Sequence, residues 1–317
     1  MSKGKKGPTA KRPQPVDSHS KEEEEKIRQK ELAAMIEKYE SAVKSGETGA
    51  DIWSKLGEFY SSAGEYDKAV KCFDKALMLK PEGKQESSIL ANLASAYAKG
   101  GIFEKEVECY NILLKKSPSE PSIWGRAARA YERFGKIQEA VLYYTRAIRM
   151  NKDDAALFYD YSFFCEKLGQ LGNAVSAAER AAQLKTESKR ALERLSILYA
   201  KTGDYDGALR SGIKLLQADQ GDLSRWEDLA EVAVAGKKYN DAVRILQKGL
   251  SKINSPALWY MLGDVYMEQN RETYALYCYS KAAQSGNQAA KDKADALTNK
   301  KVIPREVSLY EGAIGGL

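Results

Sequence analysis

The sequence predicts an all-α protein, a solenoid of about seven helix-turn-helix units closed by a C-terminal capping helix. Three observations predict it. Bulky and small residues recur in one order at intervals close to a single repeat length, apolar residues keep helical spacing within each recurrence, and most recurrences carry a glycine at the same place.

The stretch WSKLGEFYSSAGEYDKAVKCFDKALMLKP, residues 53–81, is the first recurrence. Units start near Ala50, Ser87, Pro121, Ala155, Lys189, Leu223 and Pro256, at intervals of 37, 34, 34, 34, 34 and 33 residues. All four tryptophans, Trp53, Trp124, Trp226 and Trp259, fall at the fourth position of a unit, and Leu90, Phe158 and Leu192 take it in the others. The eighth position is small: Gly57, Ala94, Ala128, Ser162, Ser196, Ala230 and Gly263. Position twenty is alanine in six units, with Glu106 as the departure in the second.

Two antiparallel helices need large side chains to fill their seam and small ones where their backbones approach, which explains the alternation. Gly64, Gly101, Gly135, Gly169 and Gly203 sit between the two helices of a unit, where a left-handed residue can end the first; Lys237 and Asn270 replace them later. Pro81 and Pro118 close the first two units. A helix pair this short cannot bury its apolar face alone, so each unit leans on its neighbours.

These residues resemble the tetratricopeptide repeat family. The resemblance implies a right-handed solenoid over residues 50–288 whose first helices line a concave groove.

The flanks differ in composition. Residues 1–20 are rich in Lys, Pro, Ser and Gly, with Lys3, Lys5, Lys6, Lys11 and Arg12 against Asp17, and are expected to be a disordered basic tail. From Lys21 to Gly49 the sequence predicts an amphipathic helix, capped by Ser20, with Ile27, Leu32, Met35, Ile36, Tyr39 and Val43 on one face. Residues 289–303 read as the capping helix, with Ala289, Ala290, Ala294 and Leu297 on one side. The last stretch, 304–317, is broken by Pro304 and glycines yet holds Val307, Leu309, Tyr310 and Ile314, which is apolar for a free tail.

The composition argues against catalysis. The only histidine, His19, lies in the basic tail, which removes most general-base, triad and imidazole-ligand chemistry. Cys72, Cys109, Cys165 and Cys278 are too far apart for a zinc or redox pair and read as buried thiols. No phosphate loop, dinucleotide fingerprint, zinc-protease or nucleophile-elbow motif is found. The chain is expected to be non-catalytic and to need no cofactor or metal. No apolar run is long enough to span a membrane, so a cytoplasmic or nuclear location is expected.

The resemblance places the groove at repeat positions 2, 5, 6, 9, 12 and 13. Units three to five put there Arg126, Arg129, Arg133, Lys167, Arg190, Arg194 and Lys201 against Glu132, Asp160, Glu166 and Glu193. Units six and seven put there Glu227, Asp228, Glu231, Asp264 and Glu268 with no cation. Arg129 with Arg133, and Arg190 with Arg194, are like charges four residues apart, which is unfavourable on an isolated helix and calls for compensation from outside it. With Tyr159 and Phe163 between the arginines, the expected ligand is an acidic protein segment carrying an apolar or aromatic anchor. Some family members clamp chaperone tails with a Lys, Asn and Arg set. Here the matching positions read Ser54, Glu58, Asn92, Ser122 and Arg126, and Glu58 would repel a carboxylate. The expected function is a scaffold or adaptor within a larger assembly; the competing readings are a nucleic-acid-associated factor, using the basic tail and the arginines, and a co-chaperone.

Overall fold

The periodicity folds into sixteen α-helices, without strands, among the residues that a computed structural model describes, 18–46, 48–185 and 188–299. The basic tail up to residue 17 and the stretch 300–317 lie outside the described residues. The helices form two compact units, one ending at Met150 and one beginning at Asn151.

The first unit holds α1 (Ser18–Lys44), α2 (Ala50–Ser62), α3 (Tyr66–Met78), α4 (Gly83–Lys99), α5 (Phe103–Lys116), α6 (Pro121–Arg133) and α7 (Ile137–Met150). Each packs on the next in chain order. Helix α1 begins two residues before Ser20, the expected cap, and docks only its C-terminal part: Ile36, Tyr39 and Val43 pack on the core, whereas Ile27 and Met35 are exposed. Tyr39 meets Phe59 with ring centroids 5.3 Å apart. Helix α4 starts at Gly83, earlier than the expected Ser87, giving the second pair a longer first helix.

The second unit holds α8 (Ala155–Lys167), α9 (Leu171–Leu184), α10 (Lys189–Thr202), α11 (Tyr205–Ala218), α12 (Leu223–Ala235), α13 (Tyr239–Lys252), α14 (Pro256–Glu268), α15 (Glu272–Gln284) and α16 (Gln288–Asn299). Its helices also pack in chain order, the nearest-neighbour arrangement of a solenoid. Local signals set its boundaries. Asp154, Asp204, Asp222 and Ser255 accept backbone N–H groups at the starts of α8, α11, α12 and α14, and Pro256 opens α14. Helix α16 buries Ala290, Ala294 and Leu297 and packs on α15, while Ala289 faces solvent.

The repeat positions behave as their chemistry requires. The six position-twenty alanines are all 0% exposed. At the eighth position a Cβ on Gly57 would stand 2.8 Å from the Phe73 ring, and one on Gly263 would stand 2.5 Å from the Tyr279 ring, so in these two units the aromatic ring of the paired helix packs directly on the glycine. The residue between helices is left-handed in seven turns, five with glycine and two with Lys237 (φ 55°) and Asn270 (φ 58°). Trp226 is buried, and the indoles of Trp124, Trp226 and Trp259 donate to Pro118 O, Gln220 O and Asn254 Oδ1. These three tryptophans therefore pack and tie down the loops before their helices.

Candidate interaction surface

In the first unit the predicted arginines diverge. Arg126 is exposed on α6 and Arg129 is half-buried. Arg133, at the end of α6, turns back to α5: its Nε donates to Glu106 Oε2 at 3.1 Å and its Nη2 to Oε1. Glu106, the departure from alanine, is 1% exposed. Buried there, its carboxylate requires a cation, and the next first helix supplies it.

In the second unit Tyr159 and Phe163, one turn apart on α8, meet edge to face with centroids 5.1 Å apart. The Arg194 guanidinium of α10 lies over Phe163 at 3.6 Å. Arg194 is 4% exposed; its Nη1 is 2.5 Å from Glu166 Oε2, and its Nε and Nη2 donate to Ser162 Oγ and O at 3.0 and 2.9 Å. Lys201 Nζ lies 2.5 Å from the other Glu166 oxygen. The Lys201 hydrogen bond, with those of Arg194, holds the Glu166 carboxyl below its usual range against the opposing effect of burial. The outside compensation expected for Arg133 and Arg194 thus comes from Glu106 and Glu166 on preceding helices, with Arg194 buried and the Arg133 side chain still 39% exposed. Arg190, at the start of α10, is exposed.

The acidic end divides as well. Asp228 and Glu231 are exposed on α12, and Glu227 is half-buried with its carboxyl pushed up by burial and then by Asp228 and Glu231. Asp264 does not join them: it accepts from Tyr279 Oη at 2.5 Å and from Lys293 Nζ of α16 at 2.6 Å. Ile197, which residue-type reasoning passed over, is 51% exposed on α10; Phe163 is 39% exposed on α8. Both occupy the ninth repeat position, a coincidence of spacing that could have identified Ile197.

The profile of the Cilia and flagella-associated protein 70 middle TPR-like domain matches residues 125–285, and two tetratricopeptide repeat profiles match residues 50–82 and 92–155. The chain belongs to the tetratricopeptide repeat family. A crystal structure of a tetratricopeptide repeat protein from Parabacteroides merdae is 18% identical, with a TM-score of 0.50, and the match covers 80% of this chain and 100% of that one. The C-terminal part of a TPR repeat-containing protein from Cytophaga hutchinsonii is 16% identical, with 84% and 95% covered and a TM-score of 0.49. At 18% identity, the likeness to the Parabacteroides merdae protein shows the fold alone. No curated protein sequence matches.

In this tetratricopeptide repeat protein two of the clamp positions, Glu58 and Asn92, pair with each other. Glu58 accepts from Asn92 Nδ2 at 3.1 Å and pairs with Lys55 at 2.7 Å. No group of three or more His, Cys, Asp or Glu among the described residues could hold a metal ion, and no described helix is long and apolar enough to cross a membrane.

Proposed function

We propose that this tetratricopeptide repeat protein is a non-catalytic scaffold that holds a segment of another protein against the first helices α8, α10 and α12. The observation that carries the reading is the exposure of Phe163 and Ile197 at one repeat position on successive first helices. Covering one such apolar side chain contributes about 1–2 kcal/mol to binding, so an apolar or aromatic anchor is the natural occupant.

The charges around that pair set the rest of the ligand. Arg190 is exposed and has no ion pair among the described residues, which suits an acidic group on the segment. Glu227, Asp228 and Glu231 on the next first helix have no cation within ion-pair distance among the described residues and favour a basic group on the other side of the anchor. The acidic segment read from the arginines is thereby narrowed to an apolar anchor with a carboxylate toward α10 and a cation toward α12.

A photoreactive phenylalanine derivative at Ile197 tests the reading in full-length protein. Crosslinks to a defined partner peptide, absent when the probe sits at the exposed Leu142 of α7, are expected. Equal yields of the same adducts from both positions would refute it.

A further inference from the structure

Away from the first-helix face, the second unit contains a cleft of about 390 Å³ between the second helices α11 and α13. Leu209, Ile213 and Leu216 of α11 and Ile245 of α13 form its walls, and Trp226 and Leu229 of α12 form its floor. Gly212 of α11 faces Leu229 of the floor. At this repeat position the other units carry Phe73, Tyr110, Tyr144, Ala178, Leu246 and Tyr279. Here a Cβ would stand 2.4 Å from Leu229 Cδ1, so Leu229 moves into the space a large side chain would take, and Ile213 beside it remains 45% exposed.

The rim is charged unevenly. Asp206 is paired with Lys238 at 2.9 Å and Asp241 with Arg244 at 3.5 Å, so both carboxylates have cations of their own. Arg210 and Lys248 line the same cleft, are exposed, and have no carboxylate within ion-pair distance among the described residues. An occupant that matches this surface is apolar in the middle and carries carboxylates on its flanks.

The chain itself encodes such a segment. Glu306-Val-Ser-Leu-Tyr-Glu311 sets Leu309 and Tyr310 between two glutamates and follows α16 of the same unit. Leu309 lies ten residue steps after Asn299, a reach of about 33 Å. Helices α14 and α15 stand between α13 and α16 in packing order, and three interaxial steps of about 8–10 Å each fall within that reach.

We propose that residues 306–311 dock in the α11–α13 cleft of their own chain, with Leu309 and Tyr310 on the Trp226 and Leu229 floor and the glutamates toward Arg210 and Lys248. The interaction uses Trp226 and Leu229 of α12 rather than the exposed Glu227, Asp228 and Glu231 or the α8 and α10 residues of partner binding, so either can fail while the other stands.

The test places a benzophenone-bearing phenylalanine at Tyr310 in the full chain. Irradiation should crosslink it, within one chain, to peptides containing Ile213 or Lys248, with a yield unchanged by tenfold dilution. Arg210→Glu with Lys248→Glu, both exposed and therefore compatible with folding by circular dichroism, should lower that yield about tenfold. Crosslinks elsewhere, no crosslink, or a yield indifferent to the charge reversal would overturn the proposal. Adducts joining two chains and vanishing on dilution would assign the cleft to a second copy and overturn it equally.

Discussion

Glu106 stands 1% exposed where six other repeats carry alanine, and Arg133, 27 residues later, closes on both its oxygens. Removing the two partners should therefore have unequal effects. Arg133→Ala leaves an unpaired carboxylate in the core and should cost about 3 kcal/mol in chemical denaturation. Glu106→Ala restores the repeat's own alanine and frees an arginine whose side chain is already 39% exposed, so it should cost less than about 1 kcal/mol. The double variant should recover most of the Arg133→Ala loss. Equal losses from both single variants would contradict this account.

The left-handed turns predict stability gains. Lys237 holds φ 55° where the equivalent Gly203 holds φ 80°. Lys237→Gly should stabilise by about 1 kcal/mol, and Asn270→Gly by less, because asparagine tolerates this region better. Gly203→Ala should destabilise by about 1 kcal/mol although nothing lies within 4 Å of its Cβ position. Denaturation midpoints of the three variants check the order.

Two carboxyls in the second unit should give opposite pH behaviour. The Glu166 carboxyl is lowered by Lys201 and Arg194, so its stabilisation is present above the unfolded value of about 4.5 and is lost as pH falls through the lower folded value. Glu227 is raised by burial, so its ionised form opposes folding at neutral pH and its protonated form does not. In thermal melts Glu166→Gln should lower Tm at pH 7 and have little effect in strong acid. Glu227→Gln should raise Tm at pH 7, and the gain should disappear once both states of the wild-type group are protonated.

The four cysteines should be silent in the native state. All are buried, and burial pushes Cys72 up to about 11, Cys109 and Cys278 up to about 12, and Cys165 upward as well. Because the thiolate is the reacting form, an aromatic disulfide reagent at pH 8 should modify none quickly and all four after unfolding. Rapid labelling of one thiol would show that its helix opens locally.

The repeat was readable because its constraints are local. Gly57 must yield to Phe73, Ala69 must leave room between helices, and Gly203 must turn left-handed, and each requirement selects a residue type at a fixed spacing. The interaction surface was readable only as a set of positions. Repeat numbering placed Arg133 and Arg194 toward the groove, but their destinations depend on Glu106 and Glu166 one repeat back and on how the intervening helices pack. Asp264 left the acidic end for the same reason, since Lys293 belongs to a helix that follows the repeats. The α11–α13 cleft has in its floor Leu229, packed against Gly212, a contact between helices that becomes visible only once they are packed.

The most direct test of the scaffold reading is a quantitative pull-down from the native source, comparing wild type with Arg190→Glu plus Ile197→Glu and with Leu142→Glu on α7, all confirmed folded by circular dichroism. These positions are exposed, so the substitutions change the surface without unpairing a buried charge. Selective loss of a set of proteins from the Arg190/Ile197 variant, with Leu142→Glu behaving as wild type, is the predicted result. Retention of the same proteins by all three would contradict binding through α8, α10 and α12.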